Sequence, residues 1–207
     1  MKYIFVAGAP GSKWSSVVKN IYYSPSLDQS DYSDTRTYYH DASGTMDLMH
    51  IGAYYDPGME FGNFFDCLEN YTKEQCEAEF DRAFTGNGIR IVKSHVFATQ
   101  IDILRERWPD CPVVCVHRPD DACLGWWVKC GEFNITYPLY DEYYKNLPTM
   151  AKIITNQNAG ICDALSRYPS VYAYNNRNLA EHLGIIEPPA EYFQDYRKSD
   201  VDVRIIK

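Results

Sequence analysis

The run Tyr3-Ile4-Phe5-Val6-Ala7 passes directly into Gly8-Ala9-Pro10-Gly11-Ser12-Lys13 and then into Trp14-Ser15-Ser16-Val17-Val18. An apolar β-rich run, a glycine-bearing turn and the opening of a helix, in that order, read as an anion cradle. Backbone N–H groups at a helix start lack intrahelical acceptors, and the aligned peptide dipoles make that end positive. Lys13 adds a full charge, and Ser12, Ser15 and Ser16 add hydroxyl donors. A phosphate-bearing ligand is the expected occupant.

Beyond the helix expected over about 14–22, the segment from Ser24 to His50 is rich in Asp, Ser and Tyr and has no clear period. Residues 23–56 read either as a lid or substrate loop or as a surface excursion. Gly58 to Leu68 and Lys73 to Phe84 are expected to be helical, the second because Cys76, Phe80 and Phe84 recur every four residues. Ile89-Arg90-Ile91-Val92-Lys93 is a second strand ending in Ser94-His95, followed by an amphipathic helix from Gln100 to Trp108 that Pro109 stops. Pro112 to His117 is apolar enough for a buried parallel strand, and Arg118-Pro119 ends it. Asp120 or Asp121 then caps a helix carrying Trp126 and Trp127. A long helix over about Thr149 to Arg167, a strand over Ser170 to Tyr174 and a helix from Asn178 to Leu183 closed by Gly184 complete the pattern. The tail from Glu191 to Lys207 carries Arg197, Lys198 and Arg204.

Strands alternating with helices predict a three-layer α/β fold, a central parallel sheet with helices on both faces, formed by 1–207 as one domain. Ligands in such sheets sit at the carboxyl ends of the strands. The turn at 8–13, Ser94-His95 and Arg118 all fall at such ends.

Composition narrows the partners. The formal charge of −8 argues against non-specific nucleic-acid binding, so an anionic ligand has to be met by a local basic patch. No run approaches the roughly 20 apolar residues of a membrane span, and residues 1–10 do not read as a secretory leader. Seven scattered cysteines without a Cys-x-x-Cys pair suggest neither a disulfide frame nor a zinc site; reduced thiols in a cytoplasmic protein are expected.

The turn is close to a Walker A loop but misses its pattern. A nucleotide kinase wants a glycine before the lysine and a Ser or Thr directly after it to hold Mg²⁺. Here Ser12 precedes Lys13 and Trp14 follows it. Taken together, the pieces resemble the sulfotransferases that use 3′-phosphoadenosine 5′-phosphosulfate (PAPS), a family with a P-loop-like fold. Pro10-Gly11-Ser12-Lys13-Trp14-Ser15-Ser16 lies over that family's Pro-x-Ser-Gly-Thr-Thr loop. Lys93-Ser94-His95 matches a Lys-Thr-His strand end. His117-Arg118-Pro119-Asp120-Asp121-Ala122, running on to Gly125-Trp126-Trp127, matches the family's next strand end, and Asn178 to Ile185 resembles its late helix. Residues 23–85 lie outside the resemblance. Gly11 stands where many members carry the lysine, and Gly125 where they carry a serine. Arg197-Lys198-Ser199 is the nearest match to the family's late basic loop.

The resemblance implies transfer of a sulfuryl group from PAPS to a hydroxyl or amine, leaving 3′,5′-adenosine bisphosphate, with no metal. Ser12, Ser15, Ser16 and the N–H groups of 11–16 would hold the 5′-phosphate, with Pro10 and Gly11 shaping the loop. Lys13 would neutralise the leaving oxygen, and Trp14 would flank adenine or pack. Arg118 would take the 3′-phosphate beside Gly125, its alternative being an ion pair with Asp120 or Asp121. His95 would be the general base, its alternative a structural histidine. The acceptor is a small molecule or saccharide, and the Tyr-rich stretch 38–55 with His40, His50 and Glu60 is a candidate wall for its pocket. A P-loop kinase of a nucleotide or small molecule, and a non-catalytic nucleotide-binding relative, are the competing readings.

Overall fold

The computed structural model describes residues 1–31, 53–54, 67–130, 146–193 and 200–207. Most of the expected lid, the Tyr-rich stretch with His40, His50 and Glu60, the helix expected from Gly58 and Arg197-Lys198-Ser199 lie outside the described residues. The chain is an α/β fold. Its elements in order are β1 (Tyr3–Gly8), α1 (Trp14–Tyr22), β2 (Ala53–Tyr54), α2 (Lys73–Asp81), β3 (Arg90–Ser94), α3 (Ile101–Arg107), β4 (Val113–His117), α4 (Asp120–Cys130), α5 (Leu147–Arg167), β5 (Ser170–Tyr172), α6 (Asn176–Leu183) and β6 (Asp202–Ile206). Short 3-10 turns occupy Leu68–Asn70, Val96–Thr99 and Ala190–Tyr192.

The sheet runs β2-β3-β1-β4-β6-β5. Its centre is parallel: β1 is flanked by β3 and β4, with Ala7 opposite Ser94 and Gly8 opposite Val116. The expectation of a wholly parallel sheet is corrected at one side. β6 runs antiparallel to both β4 and β5, with His117 opposite Asp202 and Tyr172 opposite Arg204. Residues 202–206, within the stretch expected as a tail, form β6, and Val203, Ile205 and Ile206 are buried. Asp-Val-Arg-Ile-Ile alternates charged and β-branched residues, a strand pattern, and β4 and β5 supply its ladders.

β1 is buried throughout, and its side chains alternate between two cores. Ile4 and Val6 face α1, α4 and α6, whereas Tyr3, Phe5 and Ala7 face α2 and α3. The second core is aromatic: Tyr3, Phe5, Phe80, Phe97 and Trp108 pack with ring centres 5.3 to 6.2 Å apart. Cys76, Phe80 and Phe84 all lie in it, so the four-residue repeat is the buried stripe of α2 and its exit. Local signals set the helix ends. Thr72 and Gln75 form a reciprocal capping box on α2. Asn146 and Asn175 cap α5 and α6, and Gly184, at φ +67°, closes α6.

α5 ties the layers together. Met150 and Ile154 pack in the first core, and Ile161 and Ala164 in the second. The helix therefore crosses the carboxyl edge of the sheet near Gln157 and Asn158. Gly160 permits that crossing: a Cβ there would lie 2.4 Å from the Ala98 carbonyl oxygen. At the opposite edge, Asp81 gathers Lys2 (2.7 Å), the Tyr3 hydroxyl (2.8 Å) and Arg90 (2.5 Å). Burial raises the Asp81 carboxyl, but hydrogen bonds from those three groups outweigh it and hold the group below its usual range.

Candidate functional site at the carboxyl edge of the sheet

Three strand ends meet around the turn that follows β1. Gly8 ends β1, Ser94-His95 ends β3 and His117-Arg118 ends β4. With neighbouring strands about 4.8 Å apart, the register of β1 with β3 and β4 brings His95 and Arg118 to either side of the turn.

The turn is held by backbone constraints at Gly11 and Lys13. Gly11 has φ +78°, and a Cβ on it would lie 2.1 Å from the Cys123 carbonyl oxygen in α4. Only glycine allows α4 to approach that closely. Arg118 Nη1 donates to the Gly11 carbonyl at 3.0 Å. Lys13, at φ 63° and ψ 25°, is the left-handed residue from which α1 springs, and no side chain caps the helix there. Pro10, Ser12, Trp14 and Ser15 are buried, whereas Gly11, Lys13 and Ser16 are half-buried. The Ser12 hydroxyl is buried with no hydrogen-bond partner among the described residues. A buried hydroxyl without a partner carries the full cost of its lost hydration, so it marks a place for a polar ligand.

His95 belongs to the same unit. Its Nδ1 lies 2.5 Å from the Gly8 carbonyl oxygen. A carbonyl only accepts, so Nδ1 carries a proton; when the ring is neutral, Nε2 is the nitrogen with the lone pair. The imidazole stacks on Trp14 with centres 3.9 Å apart and planes inclined by 17°. Lys93 is fully buried, with its Nζ 5.6 Å from the centre of the Trp14 ring.

The basic patch that the overall charge demands is present. Lys13 Nζ lies 4.2 Å and Lys129 Nζ 5.5 Å from the Trp126 ring centre, placing two cations on one aromatic side chain of α4. Lys93 and Arg118 add two further basic side chains at the neighbouring strand ends. Asp120, at the start of α4, is turned toward α5: its carboxylate accepts from Thr155 and from Asn158, each at 2.6 Å. Asn158 also donates to the Arg118 carbonyl at 2.8 Å, and the Cys123 thiol donates there at 3.3 Å. Burial pushes that thiol up to about 12, despite the lowering effect of Arg118 and Asn158, so Cys123 packs and donates as a neutral group.

The sequence-predicted residues thus converge, with two changes of detail. The Arg118 guanidinium braces the turn through Gly11. Gly125 sits on the exposed side of α4 beside Trp126, with open space where a side chain would be. Sequence reasoning missed Trp126 as the platform for Lys13, and Asn158 as the link between α5, Arg118 and Asp120. Asn158 had a signal: it falls on the buried stripe Met150, Ile154, Ile161, where a polar residue needs a reason.

Comparison with known proteins returns no matching family, no matching curated protein and no matching solved structure.

Proposed function

We propose that this protein is a PAPS-dependent sulfotransferase of P-loop-like architecture, moving a sulfuryl group to a hydroxyl or amine of a small molecule or saccharide. The observation that carries the reading is the joining of three strand ends into one hydrogen-bonded unit: the turn after β1, His95 bound to Gly8 and Arg118 bound to Gly11. The residues fit the cofactor. The buried Ser12 hydroxyl awaits a polar partner, and α1 starts without a side-chain cap beside Lys13. A helix start of this kind suits a phosphate.

When bound, PAPS supplies a sulfuryl group on a phosphosulfate linkage, and its transfer depends on positioning and charge stabilisation rather than on covalent work by the protein. In this proposal the Ser12, Ser15 and Ser16 hydroxyls and the start of α1 hold the 5′-phosphate, framed by Pro10 and Gly11; the expected N–H set is reduced, because Ser12 and Ser16 give theirs to the Ala9 and Lys13 carbonyls. Lys13 balances the negative charge that grows on the leaving phosphate oxygen. Arg118, whose guanidinium reaches the turn at Gly11, takes the 3′-phosphate beside Gly125. His95 Nε2 accepts the proton that the acceptor hydroxyl or amine loses as its oxygen or nitrogen bonds to sulfur. A kinase reading is less well supported, because the position that gives Mg²⁺ a hydroxyl holds the buried indole of Trp14.

Titration calorimetry with 3′,5′-adenosine bisphosphate in the absence of metal, beside ATP with Mg²⁺, tests the reading on wild type and Lys13→Ala. Metal-independent bisphosphate binding that weakens at least about tenfold in Lys13→Ala is expected, a change of about 1.4 kcal/mol. Binding of Mg-ATP alone would move the protein to the kinases. Bisphosphate binding without transfer to any acceptor in a screen would leave a nucleotide-binding protein.

A further inference from the structure

Trp14 is the first residue of α1 and is nearly fully buried, at 4% exposure. The apolar core explains its burial but not its partner. Its indole lies flat against His95, a polar ring that is itself only 4% exposed. We propose that Trp14 is a positioning residue for His95, fixing the plane in which Nε2 presents its lone pair. The proposal rests on the reading of His95 as proton acceptor.

Two constraints are needed to orient an imidazole. The hydrogen bond from Nδ1 to the Gly8 carbonyl fixes one corner of the ring and its tautomer. The ring can still swing about its Cβ–Cγ bond, which would break that hydrogen bond and release the tautomer. The parallel stack at 3.9 Å and 17° removes that swing. Both partners, Gly8 and Trp14, flank the phosphate turn, so the turn that would hold the donor also aims the base. Misplacing a reacting group by about an ångström costs up to roughly a hundredfold in rate, so such a clamp has a measurable value. Lys93 sits against the same indole, which ties the clamp to β3 as well as to β1 and α1. The residue that removes the Mg²⁺-binding hydroxyl of a kinase loop thereby supplies the clamp.

The test uses the whole chain labelled with ¹⁵N, its five histidines assigned by single substitution. In wild type, the His95 ring is expected as the Nδ1–H tautomer, with through-space contacts between imidazole and indole protons. Trp14→Leu keeps an apolar side chain and removes the ring; it is expected to mix the tautomers and to lower kcat about tenfold or more. Trp14→Phe, which restores a stacking face, is expected to recover the single tautomer and most of that loss. An Nε2–H tautomer in wild type overturns the proposal whether or not any variant folds. So does a Leu variant that keeps the pure Nδ1–H form, or a Phe variant as impaired as Leu. If the tautomer follows the ring at position 14 but no acceptor is sulfated, the clamp stands and the sulfotransferase reading fails.

Discussion

Replacing Gly11 by alanine puts two separate costs on one methyl group. The first is conformational. At φ +78° an L side chain enters the left-handed region, which costs about 1–2 kcal/mol, partly offset by about 0.4–1 kcal/mol from the stiffer unfolded chain. The second is steric. The new Cβ would sit 2.1 Å from the Cys123 carbonyl oxygen and 2.8 Å from its carbon, so turn and helix must part by roughly an ångström to reach van der Waals contact. The obstacle is backbone, and α4 is poorly placed to yield. Asp120 is bound to Thr155 and Asn158, and the Cys123 N–H donates to the Pro119 carbonyl at 2.9 Å. Overpacking of this kind costs about 1–3 kcal/mol, so the whole destabilisation is about 2–4 kcal/mol. Gly125→Ala is the internal control. It lies in the same helix with nothing within 4 Å of the added methyl, and a helical Gly→Ala change stabilises by about 0.5–1 kcal/mol. Urea unfolding followed by circular dichroism measures both, provided the slopes agree so that midpoints report stability. A Gly11→Ala protein within about 0.5 kcal/mol of wild type would refute the close approach of α4 to the turn. Equal losses at both glycines would show that helix propensity and packing have been assigned to the wrong positions.

Lys13→Gly separates strain from ligand binding. Glycine relieves the left-handed backbone and is acceptable before a helix, while a partly exposed contact with Trp126 is lost. Stability is expected unchanged to about 1 kcal/mol higher while bisphosphate affinity falls at least about tenfold. A thermal or urea midpoint clearly below wild type would show that the lysine is structural. Asp81 predicts a pH dependence. Its folded carboxyl titrates below its usual value, so the stabilisation it gives is complete above the unfolded value of 3.8 and is lost as pH falls through the lower folded value. Asp81→Asn is therefore expected to cost about 1–3 kcal/mol at pH 7 and less at pH 3, below the unfolded value. A loss of the same size at both pH values would show that the carboxylate's charge is not what binds Lys2, Tyr3 and Arg90 to it.

The central fold was readable from short-range rules. β1, β3 and β4 declare themselves as apolar runs because a strand buried on both faces has no polar side to show. Lys73 and Gly184 were legible as helix ends, whereas the starts expected at Thr149 and Asn178 fall two residues inside α5 and α6, which Asn146 and Asn175 cap. His95 and Arg118 could be placed near the phosphate turn because each lies at the end of an expected strand. What the sequence could not show depends on residues far apart in the chain. β6 takes its place from β4 and β5, its partners 85–93 and 32–36 residues earlier in the chain, and nothing within Asp202–Ile206 records their direction. Gly11 looked like a missing lysine; its necessity appears only when α4 is packed against it. The stack of Trp14 on His95, the seat of Lys13 on Trp126 and the Asn158 link to Arg118 and Asp120 join elements that meet only after the sheet is assembled. Local pattern determined which residues reach the carboxyl edge, and tertiary packing decided which partners fix their orientation there, because side-chain contacts across elements leave no period in a linear chain.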